Sequence, residues 1–362
     1  MNVFDRIDEN QKLVKAGKYR YLPFNFSWMN KIIPGILIDH MLITGQSGSA
    51  KSSIAKFLYL IQGIELAIEK NLKYHVIMLC LEDTELLIDY TLLCNMYWKK
   101  YKEIIDSKLL EGLRFNADNS VKQLTKLQRD RLETLKPQLE EYKKYITVID
   151  DTYSPDDIYT KVLGYAVQNG KFYKKDIQLT TAQVLSKQSF DKYIQNEDCF
   201  VSVITDNINL LDSDDLYKGM LYYSFEIGKK HIVKKLGYNF TVLQQMADAN
   251  SNLEHQKANA WLPSNESLGQ AKKVGKDSRA SMGVFCPAHL PNMKTFGGYS
   301  IELMKTYFRG LHIFKQSVGT DNFTFNMLFI PQVTQFYLLP IIKKGEEVPK
   351  NAQECPYCGK KF

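Results

Sequence analysis

Apolar residues in this chain fall into two alternating rhythms. Short, nearly continuous apolar runs of strand length end in small or charged residues, and longer stretches follow with apolar positions every three or four residues. The first run, about Asp39 to Thr44 in IIPGILIDHMLITG, follows the turn pair Pro34-Gly35 and ends at ITGQSGSAKSS. Behind that loop, SSIAKFLYLIQGIELAIEK has helical spacing. The order is strand, glycine-bearing loop, helix.

The alternation continues. A second strand, YHVIMLCLED, ends in Glu82 and Asp83, and residues 84–143 read as a long helical stretch whose Lys and Glu form a solvated face. After a third strand, YITVIDD, the run SPDDIYTKVLGYAVQNG starts a helix with Ser154 to cap, Pro155 at the first position and two aspartates facing the dipole. The fourth strand is CFVSVITDN; the helix YYSFEIGKKHIVKKLG, closed by Gly237, leads to the fifth, YNFTVLQQ. Residues 247–283 lose apolar periodicity and are rich in Ala, Asn, Ser and Lys, as functional or disordered segments are. LHIFKQS, NFTFNMLFI and QFYLLPII, with the short turn VGTD, then suggest antiparallel pairing. The expected fold is α/β: a mainly parallel sheet flanked by helices, with antiparallel strands at its C-terminal edge. It occupies residues 23–342, between an arm over 1–22 and a linker with a small knuckle over 343–362.

Bulk properties narrow the setting. A length of 362 residues suits one large α/β domain, and 44% hydrophobic with 24% charged residues is ordinary globular composition. The net charge of +7 is compatible with a polyanionic partner. No signal-peptide core stands at the N-terminus and no apolar run reaches about 18 residues, so a cytoplasmic protein without membrane contact is expected. Six cysteines describe no disulfide framework; Cys80 and Cys199 read as buried thiols. Cys355 and Cys358 in CPYCGKKF are spaced as half of a tetrahedral Zn²⁺ site, which needs two more ligands from elsewhere.

The loop over Gly45, Gln46, Ser47, Gly48, Ser49, Ala50, Lys51, Ser52 and Ser53 carries the chemistry. Gripping a triphosphate takes backbone N–H groups around a concavity, a lysine for the β- and γ-phosphates and a hydroxyl for Mg²⁺. Gly45, Gly48, Lys51 and Ser52 meet those needs, and the following helix adds its positive N-terminus. Ala50 departs from the usual glycine: at positive φ it costs roughly 1–2 kcal/mol, at negative φ little. Asp206, ending a strand, is placed to hold the Mg²⁺ shell, and Glu82, with Asp83 as competitor, to deprotonate water.

The succession GQSGSAKSS, MLCLEDTE, VITDNINLL, FTVLQQMAD and FKQSVGTDNFTFNMLF resembles the ATPase domain of DnaB-type replicative hexameric helicases, over roughly residues 20–340. The resemblance implies a RecA-like P-loop NTPase core. It assigns ATP and Mg²⁺ to Lys51 and Ser52, the catalytic base to Glu82, the Walker B carboxylate to Asp206, and coupling of γ-phosphate to DNA loops to Gln245, with Gln244 one residue away. The family's last motif, which reaches the neighbouring subunit's ATP, reads Lys315-Gln316-Ser317-Val318-Gly319, with serine in place of the arginine finger. Either Lys315 acts alone, Arg309 substitutes, or hydrolysis is slow. The segment 247–283 falls where such proteins place DNA loops, and its Lys272, Lys273, Lys276 and Arg279 suit a grip on single-stranded phosphates.

The expected activity is therefore an ATP-dependent DNA helicase or translocase on single-stranded DNA, in a ring of six subunits, with a primase or helicase loader among its partners. Fewer than about 25 residues precede the core, so a minimal phage- or plasmid-type protein acting in a bacterial host is implied by the resemblance. The alternatives are a RecA-like recombinase or mediator, and a DNA- or virion-assembly protein with little turnover.

Overall fold

The computed structural model describes residues 21–342 apart from 27–28, 247–260, 291, 318 and 320, together with six positions before Tyr21. Its centre is a nine-stranded sheet. In chain order the strands are β1 His40–Gly45, β2 Tyr74–Cys80, β3 Ile146–Ile149, β4 Phe200–Asp206, β5 Asn239–Gln245, β6 Ala280–Phe285, β7 Phe308–Gln316, β8 Phe323–Ile330 and β9 Gln335–Leu338. Across the sheet they run β9-β8-β7-β6-β1-β5-β4-β2-β3. The strands from β6 to β3 are parallel, and β7, β8 and β9 add on antiparallel.

The apolar runs are continuous because both faces are covered. Met41 and Ile43 of β1, with Val76 and Met78 of β2, face helix α1 (Lys51–Ala55, Lys56–Gln62 and Gly63–Lys70 in succession) and α2 (Glu85–Tyr101). Leu42, Ile77 and Leu79 point the other way, toward α3 (Pro155–Gln168) and α4 (Leu216–Leu221 continued by Tyr222–Leu236). A strand alternates its side chains between faces, so helices on both sides demand apolar residues at every position. Ser154 stands at the N-cap of α3 without a side-chain bond, and Gly237 ends α4 at φ 73°. Among the described cysteines, Cys80, Cys94 and Cys286 are buried free thiols and Cys199 is half-buried.

Three segments differ from the sequence expectation. The stretch 84–143 is not one helix. Lys102 turns left-handed (φ 55°) after α2, and the Asn116–Ser120 turn, with Asn119 also at positive φ, separates it from short helices at Lys126–Glu133 and Lys136–Lys143. A three-stranded sheet at Gly170–Lys174, Ile177–Gln178 and Lys192–Gln195 follows α3, packed around Phe172, Phe190 and Tyr193.

The most consequential difference is in 247–283. Its last part is not a polar loop: Glu266–Ala271 and α5 (Lys272–Asp277) are helical, and ASMGVF is β6, a buried strand beside β1. The pattern hides this strand because Ser281 and Gly283 are small by necessity. A Cβ on Gly283 would stand 1.9 Å from Cβ of Pro263. Residues 247–260 lie outside the described residues. Gly283→Ala is expected to destabilise the chain by about 1–3 kcal/mol, seen as a lower urea midpoint at unchanged slope.

Candidate functional site

All parallel strands end at one edge of the sheet, and the register brings their last residues together. Gln245 pairs with Gly45, and Cys80 pairs with Asp206, which carries Glu82 to the carboxylate at the end of β4. The glycine-bearing loop leaves β1 at this edge. Gly45 has no room for a side chain, since a Cβ would lie 2.3 Å from Ser49 Oγ and 2.6 Å from the Val284 carbonyl. Gly48 takes φ 70°, and Ala50 takes φ 79°, ψ 31°, so alanine occupies the left-handed region here. The strain is held because the Ala50 carbonyl accepts the Ile54 N–H (2.9 Å), the first bond of α1. Lys51 is buried behind it, 8% exposed.

Ser52 Oγ donates to Asp206 Oδ1 at 3.0 Å. Burial pushes the Asp206 carboxyl up to about 6, against the Ser52 bond and the positive charges of Lys56 and Lys51, with Glu82 adding to the rise. Its second oxygen, Oδ2, is buried without a hydrogen-bond partner. A hydroxyl in contact with a carboxylate that keeps one oxygen unsatisfied fits a site for Mg²⁺, which commonly takes one or two protein groups and completes its shell with water and phosphate. Among the described residues no group of three or more His, Cys, Asp and Glu is gathered to hold a metal, and Cys355 and Cys358 lie outside them.

The two carboxylates after β2 are separated by their partners. Asp83 is paired with Lys56 (Nζ–Oδ2 2.5 Å), while Glu82 is exposed and accepts from Asn207 Nδ2 at 3.1 Å. Of the two glutamines, Gln244 is buried, with Nε2 toward the Leu268 carbonyl (3.4 Å), and Gln245 is half-exposed at the strand end. The Gln245 N–H is held by Asn209 Oδ1 at 3.0 Å. Lys56, Asn207 and Asn209 were not singled out from the sequence; two asparagines closely following a strand-end carboxylate in TDNINLL were the available signal.

Other expected residues stand elsewhere. Arg309 is 5% exposed beneath its own loop: Nε donates to the Ser49 carbonyl (2.9 Å), Nη1 to the Phe308 (2.8 Å) and Thr306 carbonyls and Cys286 Sγ (3.1 Å). Its guanidinium, 5.1 Å from the Phe329 ring, braces the loop of its own chain instead of projecting outward. Lys315 donates to the carbonyls of Gly275 (2.9 Å) and Lys276 at the end of α5, and desolvation there, with Lys229 nearby, lowers its pKa.

The basic residues gather around the same helix. Lys272 pairs with Glu266, Lys273 lies over Phe225 (5.9 Å), and Arg279 is 3.9 Å from Asp39. Arg279 donates its N–H to the His40 carbonyl, at the start of β1, about 17 Å along the strand from the loop. It adjoins Ser317, whose N–H its carbonyl accepts at 3.2 Å. Lys276 and Arg279 are thus at the opposite edge of the sheet from Gln245.

This strand order and strand-end chemistry define a RecA-like ATPase domain of the type found in DnaB-like helicases. No family model and no curated protein sequence matches the chain. Solved structures do. The ATPase domain of a phage helicase superposes with a TM-score of 0.66 at 14% identity, covering 94% of this chain and 99% of that one. A DnaB-like replicative helicase, described with its interactions with primase, gives a TM-score of 0.62 at 13% identity over 93% of this chain and 66% of its own. The shared property is the fold. Among the described residues no helix is long and apolar enough to cross a membrane.

Two outcomes follow from the geometry. Ala50→Gly removes the left-handed strain at some gain in unfolded-chain entropy, and a net stabilisation of about 1 kcal/mol is expected in thermal or urea unfolding. Folded Asp206 keeps its proton up to about pH 6, whereas its ordinary value is 3.8. The folded state therefore binds more protons between those values, and stability falls as pH rises through that window. Asp206→Asn is expected to stabilise the nucleotide-free chain by up to about 3 kcal/mol at pH 7 and to leave it unchanged near pH 3, measured by unfolding across pH.

Proposed function

We propose that this chain is an ATP-driven translocase on single-stranded DNA, working as a ring of subunits and unwinding duplex by excluding one strand. The observation that carries the reading is the Ser52–Asp206 contact beside Glu82, on the sheet edge where β5 ends in Gln245. The fold likeness to DnaB-type ATPase domains supports it.

In this reading the loop N–H groups and Lys51 hold the triphosphate. Ser52 and Asp206 would hold Mg²⁺, which when bound neutralises charge on the β- and γ-oxygens. Glu82 takes the proton from the attacking water. Gln245 passes the state of the γ-phosphate to the segment 247–260, and α5 with Lys272, Lys273, Lys276 and Arg279 supplies cations for the DNA backbone. A primase or loader docks on the ring, as the comparison helicase is described with primase. Zn²⁺ at Cys355 and Cys358 remains part of the proposal only if partners outside the pair complete four ligands.

A second reading, nucleotide-dependent assembly with little turnover, is favoured by one feature: Lys315 is engaged by carbonyls of its own α5 and Ser317 offers no charge to a neighbour. A forked-duplex assay separates the readings. The wild type should displace the strand with ATP, and Lys51→Ala should lose both displacement and DNA-stimulated hydrolysis. Strand exchange without unwinding points to a recombinase; nucleotide-driven assembly with neither activity defeats the translocase reading.

A further inference from the structure

Between Glu82 and the end of β5 runs an unbroken set of hydrogen bonds. Asn207 Nδ2 donates to Glu82 Oε1 (3.1 Å), Asn207 Oδ1 accepts the Asn209 N–H (3.0 Å), and Asn209 Oδ1 accepts the Gln245 N–H (3.0 Å). The partners fix the direction of the Asn207 amide, because a carboxylate only accepts and a backbone N–H only donates. Asn207 is 2% exposed, so its amide has little freedom to turn toward water. Glu82, by contrast, is exposed on a short connection after β2, where its side chain needs an external hold to keep one orientation.

We propose that Asn207 and Asn209 are positioning residues that tie the carboxylate of Glu82 to the end of strand β5, so that the aim of the base depends on where Gln245 stands. This rests on the reading of Glu82 as the base for ATP hydrolysis. A displacement of the Gln245 backbone pulls on Asn209, turns the Asn207 amide and swings Glu82. The distance that a proton-accepting oxygen tolerates is small, and a misplacement of about 1 Å costs on the order of a hundredfold in rate.

The test uses the full chain with the variants Asn207→Ala, Asn209→Ala and Asn209→Asp. ATP hydrolysis is measured with and without oligo(dT), and affinity with a fluorescent ATP analogue. Either alanine variant should lower kcat by about tenfold or more, with KM and analogue affinity within about twofold of wild type. Asn209→Asp should restore kcat, since its oxygen still accepts the Gln245 N–H. In a Glu82→Gln background the alanine changes should add nothing. Wild-type kcat in either alanine variant, equal losses in Asn209→Ala and Asn209→Asp, or losses that add to Glu82→Gln would overturn the tie. If the wild type hydrolyses ATP at a rate that oligo(dT) leaves unchanged, the DNA-coupled reading fails while the variants still judge the tie. A wild type that binds the analogue without hydrolysing ATP overturns both.

Discussion

The hydrogen bond between Ser52 and Asp206 joins the first helix of the domain to the fourth strand, and it exists only because parallel strands end at a common edge. Residues 154 positions apart meet there with a buried carboxylate, flanked by Lys51 and Lys56 and opposed by Glu82. An unpaired carboxylate oxygen in such a place raises the energy of the empty state. That cost is a means of favouring a cation when nucleotide arrives.

Rigidity around the loop comes from below. Arg309, from a strand of the antiparallel half, reaches under β6 and the loop after β1 to hold the Ser49 carbonyl, and Gly45 lets the loop fold back against the Val284 carbonyl. The antiparallel strands are thereby more than an edge: they brace the nucleotide loop of the same chain. The same placement removes Arg309 from any role at a neighbour's phosphate, and Lys315 is engaged with α5. The arrangement leaves Ser317 and the adjacent Arg279 together at one corner, where a missing guanidinium on β7 has a guanidinium one strand away.

Much of the fold was legible because helices cover both faces of the sheet, which forces apolar runs into β1, β2, β4 and β5. β6 was not legible. Its Ser281 and Gly283 are dictated by Pro263 and by buried hydroxyl contacts such as Ser278–Ser281, so it reads as polar. The breaks in 84–143 were present as Gly112 and NADNS but were masked by surrounding helix-forming Lys, Glu and Leu. The small sheet after α3 has too few residues per strand to set up a period.

The residues by themselves determined the phosphate loop, its lysine and hydroxyl, and the strand-end carboxylates, because this chemistry sits in contiguous motifs bound to a strand–loop–helix order. Tertiary structure decided what depends on partners far away in the chain: that Ala50 is left-handed, that Asp83 belongs to Lys56 and Glu82 to Asn207, and that Arg309 serves its own loop. A side chain's role there is set by which oxygen or N–H lies within about 3 Å, and strand order, not spacing in sequence, sets that distance.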